Sequence, residues 1–161
     1  MGLFIKIFLI FRINIGRYRG AVNHLKEAAM PMSRISLLKG KSPEYLRALG
    51  DSLQRAMEEA FNVPKNDRFQ VIHQHEPYEL MFDRDYEGGP RSDDFVLIAI
   101  TVGKPRSVEL KQAFYRRLVQ ELAASPGVRP EDVMIVLSSS QGEDWSFGSG
   151  RPAASLMGAR S

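Results

Sequence analysis

From Met32 onward the apolar residues follow two rhythms, and the pair of rhythms occurs twice. Met32–Leu38 alternates weakly, as a strand does, and Gly40 breaks it. Leu46, Leu49, Leu53, Met57 and Ala60 then recur at helical spacing and form one apolar stripe. Ser42 stands where a helix cap belongs, with Pro43 at the first helical position. Asn62-Val-Pro-Lys-Asn66 ends that helix, and 68–75 is strand-like. The second round opens with 95–102, a continuous apolar run suited to a buried strand. Ser107 caps a second helix whose core positions are Leu110, Phe114, Leu118 and Leu122, with Tyr115 and Val119 alongside. Pro126-Gly127 stops it, and 133–137 is the last strand.

The two rounds also match residue by residue at an offset of 65 positions, without a gap. Lys39 aligns with Lys104, Lys41 with Arg106, Ser42 with Ser107, Glu44 with Glu109, Leu53 with Leu118 and Asp67 with Asp132. Two copies of this length describe a duplicated domain, not a solenoid. The expected fold is α/β (α+β): two β-α-β units joined into a four-stranded sheet with both helices on one face. The other sheet face is then open and partly apolar, and a closed ring of subunits would cover it. The connection 76–94, rich in charge and glycine, reads as a hairpin or loop, placed as a lid or subunit contact.

Residues 1–30 look different. Their apolar run is interrupted by Lys6 and is shorter than the roughly 20 residues a spanning helix needs. It lacks the flanks of a signal peptide, and Lys6 occupies the position that favours Ser or Thr in a myristoylation signal. A membrane-surface helix is one reading, since Arg12, Arg17, Arg19 and Lys26 follow the apolar part. A mis-assigned translation start is the preferred one: Lys26-Glu27 is encodable by a purine run resembling a ribosome-binding site just upstream of Met30. The segment holds five Lys+Arg and one acid, whereas the whole chain has 22 Lys+Arg against 19 Asp+Glu. The basic excess therefore sits in the extension, and nothing in 31–161 points to nucleic acid. The absence of cysteine excludes disulfides, thiolate zinc sites and cysteine nucleophiles, and fits a cytoplasmic protein. The expected organisation is an extension over 1–30, one domain over 31–150 and a flexible tail over 151–161.

Pro31 is the first chemical candidate. If translation starts at Met30, methionine is removed before proline and Pro31 becomes a secondary amine on a rigid ring. In an apolar pocket near cations such an amine loses charge and can shuttle a proton between carbon and oxygen of a keto-enol pair. If Pro31 is internal it merely starts a strand. Lys104-Pro-Arg106 is the second candidate. It follows the central strand and precedes a helix start, where anions bind well, and Pro105 keeps Lys104 extended. Two cations on one face suit a carboxylate, which Arg106 can bind through two hydrogen bonds. Lys39 and Lys41 read as a solvated basic turn. Asp67 follows the first helix and can orient a water; its mate Asp132 suggests a turn former. Trp145 and Phe147, in a Gly/Ser-rich segment, can wall an apolar pocket or cover a subunit interface. His73 and His75 share a strand face but lack a third ligand, so no metal is assigned. Gly148-Ser-Gly150 lacks the setting of a nucleotide loop.

Over 31–151 the chain resembles the tautomerase superfamily, and within it the malonate semialdehyde decarboxylase-like branch. The resemblance rests on Met30-Pro31 with its strand, Phe61-Asn-Val-Pro-Lys-Asn-Asp-Arg-Phe-Gln70, Lys104-Pro-Arg-Ser107 and Asp144-Trp-Ser-Phe-Gly148. It implies a tautomerase/MIF-like fold, a homotrimer, a small carboxylate substrate and no cofactor. It also implies that Pro31 is an amino-terminal catalytic proline, Asp67 the aspartate that assists it, Arg106 a substrate-binding arginine, and Trp145 and Phe147 an aromatic wall. Lys104 departs from the pattern, because the decarboxylase has arginine there and lysine lacks the planar fork. The expectation is a cofactor-independent enzyme for keto-enol tautomerisation or β-keto acid decarboxylation. The alternative is a non-catalytic trimeric binding or scaffold protein whose intact extension blocks the proline.

Overall fold

The computed structural model describes residues 31–153. These fall into two units, 31–141 and 142–153. The larger runs β1 (Met32–Leu38), α1 (Pro43–Phe61), β2 (Phe69–His75), β3 (Val96–Val102), α2 (Val108–Ala124), a 3-10 turn (Pro130–Asp132) and β4 (Val133–Ser139). The sheet order is β2-β1-β3-β4. β1 and β2 are parallel, β3 and β4 are parallel, and the halves meet at the antiparallel pair β1–β3. Met32 pairs with Phe69 and Val96 with Val133, so the register repeats as the sequence does.

Local chemistry fixes both helices as expected. Ser42 accepts a hydrogen bond from the Tyr45 N–H at 3.2 Å, and Ser107 accepts one from the Leu110 N–H at 3.3 Å. Asn62 ends α1 in the left-handed region (φ 53°, ψ 37°), its N–H donating to the Met57 carbonyl. Leu49, Leu53 and Met57 of α1 and Phe114, Leu118 and Leu122 of α2 pack on Ile35, Leu37, Ile98 and Ile100 of the sheet. All are essentially sealed from solvent, each contributing about 1.5–3 kcal/mol relative to an exposed position. Leu110 corrects the expected stripe. It is exposed, because the stripe meets the core only from Phe114 onward.

The opposite sheet face is not covered by either helix. Phe69, Val71, Met134 and Val136 are exposed there, with Arg34 among them on β1. The connection 76–94 forms turns and bends, not a hairpin. The Arg91 N–H donates to the Arg84 carbonyl at 2.9 Å, and Phe82 stacks on Phe95 at 4.3 Å. A Cβ on Gly89 would lie 2.3 Å from that Arg84 oxygen, so the turn closes only on glycine.

In the smaller unit a 3-10 turn (Gly142–Asp144) leads into Trp145. Ser146 bridges Pro152, and the Ala153 N–H donates to the Trp145 carbonyl at 2.8 Å. The reading made for 1–30, and the 154–161 part of the tail read over 151–161, lie outside the described residues.

Candidate active site

Strand register gathers three of the candidate segments at one end of the sheet. Met32 pairs with Phe69 on one side and with Thr101 on the other. Pro31, one residue earlier, therefore lies beside the turn that carries Asp67 and beside the end of β3, which leads to Lys104 and Arg106. Pro31 is buried.

Asp67 is held by the turn that closes α1, its N–H donating to the Pro64 carbonyl at 2.9 Å. Its carboxyl is half-buried, and Oδ2 is sealed with no hydrogen-bond partner among the described residues. Burial pushes its pKa above the usual aspartate value. Arg106 is 9 % exposed. Its Nη1 donates to the Lys104 carbonyl at 3.0 Å, and its guanidinium carbon lies 5.3 Å from the centre of the Phe61 ring. Lys104 is half-buried. The site thus offers a buried proline, a carboxyl with an unpartnered buried oxygen, and a guanidinium held in place ahead of a helix start.

The mate of this site, at the opposite end of the duplication, is built from matching residues, and its two lysines are paired with acids. Lys39 pairs with Glu76 at 2.6 Å, and Lys41 pairs with Asp94. They line a cleft of about 750 Å³ with Leu38, Phe82 and Arg84. Lys39 is exposed, as the reading of a solvated turn expected, and connection 76–94 folds back and supplies both carboxylates. Asp132 is fully buried. It accepts from the Ser92 N–H, from the Ser92 hydroxyl at 2.7 Å and from Arg129 Nε at 3.0 Å. Burial alone would raise its pKa, but Ser92 and Arg129 outweigh that and hold it below the usual value. Asp132 is the turn former that the repeat suggested.

Trp145 and Phe147 belong to the smaller unit, where their rings stack at 5.9 Å and 18°. His73 and His75 do share the open sheet face, with ring centres 6.1 Å apart. Among the described residues no group of three or more His, Cys, Asp or Glu is placed to hold a metal. Phe61 entered the sequence reading only as the first residue of a segment carrying the family resemblance; nothing local in the sequence signalled its contact with Arg106.

Two family models, each described as tautomerase enzyme, match residues 31–84 and 67–148. The chain is 41% identical over 122 residues to Probable tautomerase YusQ of Bacillus subtilis (strain 168), covering 76% of this chain and 96% of that protein. It belongs to the tautomerase superfamily. Two solved tautomerase-fold enzymes place it within the malonate semialdehyde decarboxylase-like branch. One is malonate semialdehyde decarboxylase, solved as wild type, as a proline-to-alanine variant at position one and in inactivated form (37% identity, TM-score 0.72, covering 79% of this chain and 97% of that one). The other is the FG41 malonate semialdehyde decarboxylase inhibited by 3-bromopropiolate (32% identity, TM-score 0.71, 79% and 95%). The tautomerase/MIF-like fold, with its duplicated β-α-β units, is shown. No helix among the described residues is long and apolar enough to cross a membrane.

Proposed function

We propose that this tautomerase uses Pro31, as its amino terminus, to move a proton on a small carboxylate bearing an adjacent or β carbonyl. The observation that carries the reading is the register that sets Pro31 between the Asp67 turn and the Lys104–Arg106 segment. A neutral Pro31 amine takes a proton from an enol oxygen or α-carbon and returns it to the other atom of the keto-enol pair. Desolvation and the two cations favour that neutral form. Arg106 binds the carboxylate through its planar fork and Lys104 adds a point charge. On a β-keto acid, a protonated Pro31 polarises the carbonyl while CO₂ leaves. Asp67 assists by orienting water. The chemistry needs no cofactor.

The same reading makes residues 1–30 an extension outside the mature domain, and 151–161 a tail. It places the enzyme in the cytoplasm as a homotrimer, in which partner subunits cover Phe69, Val71, Met134 and Val136. The test compares turnover of phenylenolpyruvate and malonate semialdehyde by natively expressed protein and by its Pro31→Ala variant. Loss of turnover supports proline catalysis, whereas undiminished turnover rejects it. An intact chain through residues 1–30 with no turnover supports the non-catalytic trimer instead.

A further inference from the structure

We infer that Phe61 is the positioning residue of the carboxylate site, its ring fixing the plane of the Arg106 guanidinium. The inference rests on the proposed role of Arg106. An arginine side chain has several rotatable bonds, and ordering them on binding costs conformational entropy. Recognition through two parallel hydrogen bonds also demands that the guanidinium plane be set before the carboxylate arrives. With lysine at 104, that planar recognition falls on Arg106.

The structure supplies the fixing contacts. The Arg106 guanidinium carbon sits 5.3 Å from the Phe61 ring centre, and Nη1 donates to the Lys104 carbonyl at 3.0 Å. An aromatic face attracts a guanidinium that lies over it, so the ring restricts the rotations of the Arg106 head. Phe61 is itself immobilised. It is the last residue of α1, directly before the left-handed Asn62 cap, and it stacks on Phe114 at 4.5 Å and 26°. It is 7% exposed. The turn anchored there continues to Asp67, so one helix end sets both a carboxyl and a guanidinium. At the mate end the position corresponding to Phe61 is Pro126, and the Lys41 ammonium lies instead over the Tyr45 ring, 5.0 Å from its centre.

The test uses natively expressed protein with Phe61→Met, which keeps volume but removes the ring, and Phe61→Tyr, which keeps the ring. Positioning predicts about a tenfold rise in KM for phenylenolpyruvate in the methionine variant, with kcat within about twofold. The tyrosine variant restores both constants. The Nε–H resonance of Arg106, followed by ¹⁵N NMR, is ring-shifted in wild type and in Phe61→Tyr and moves to the ordinary arginine position in Phe61→Met. A folded Phe61→Met variant with unchanged KM overturns the inference, as does a KM rise that Phe61→Tyr shares. If Phe61→Met does not fold, the resonance in wild type decides, and an unshifted Arg106 Nε–H overturns it. If wild type turns over no carboxylate, the proposed function fails while the resonance still judges the positioning.

Discussion

The two ends of the duplicated sheet hold matching residues in opposite states. At one end Asp132 is fully buried, bonded by Ser92 and Arg129, and its pKa is depressed. At the other, Asp67 has a sealed oxygen without a hydrogen-bond partner among the described residues, and its pKa is raised. Lys39 and Lys41 are tied to Glu76 and Asp94, whereas Arg106, the mate of Lys41, donates to a carbonyl and lies over an aromatic face. Connection 76–94 delivers Glu76 and Asp94 to the Lys39–Lys41 end. In one copy of the repeat these charges hold a loop. Residue type alone therefore does not mark the site. What surrounds each residue does.

The comparison can be broken at several places. The largest effect is expected at Pro31: Pro31→Ala lowers kcat/KM by about 10²–10⁴, the range for a general acid-base group, measured on phenylenolpyruvate. Arg106→Ala follows, with a loss in kcat/KM of about 10–100-fold carried mostly by KM, as for a charge-assisted hydrogen bond. Its mate change Lys41→Ala leaves both constants within about twofold, because Lys41 serves Asp94 and not substrate. An equal loss from both would erase the distinction between the ends.

The two aspartates sharpen the contrast through pH. Asp132→Ala destabilises by about 1–3 kcal/mol, since it leaves the Ser92 donors unmatched, and chemical denaturation measures this. A depressed folded pKa stabilises above the unfolded value, and that contribution is lost as pH falls through the folded one. The Asp132 penalty should therefore shrink in acid. Asp67 runs the other way. Its raised folded pKa favours the folded state most below the unfolded value, and the contribution disappears as pH rises through the folded one. Asp67→Asn should match wild type in stability in acid and exceed it slightly at neutral pH. Melting curves at both ends of the range check the opposite signs, and parallel behaviour would contradict the account.

Much of the fold was legible because its signals are local. Ser42 and Ser107 act as caps, β1 spans 32–38 as read, and the open sheet face carries the exposed Phe69 and Val136. Boundaries moved by a residue or two where strand pairing decided them: β2 starts at Phe69, β3 at Val96, and β4 runs on to Ser139. The failures were long-range. Lys39 meets Glu76 and Lys41 meets Asp94 across 37 and 53 residues of chain, and Phe61 reaches Arg106 across two strands and the connection between them. A local pattern cannot announce such partners. The repeat did indicate that Asp67 and Asp132 are mates, but not that burial would shift one pKa up while hydrogen bonds pulled the other down.

Amino-terminal proline chemistry is tested most directly by treating natively expressed protein with 3-bromopropiolate, which inhibits the FG41 relative, and mapping the product by mass spectrometry. The account predicts a chain that begins at Pro31 and carries a single adduct on the Pro31 nitrogen. A chain running through Met30 into an unmodified Pro31 would contradict it.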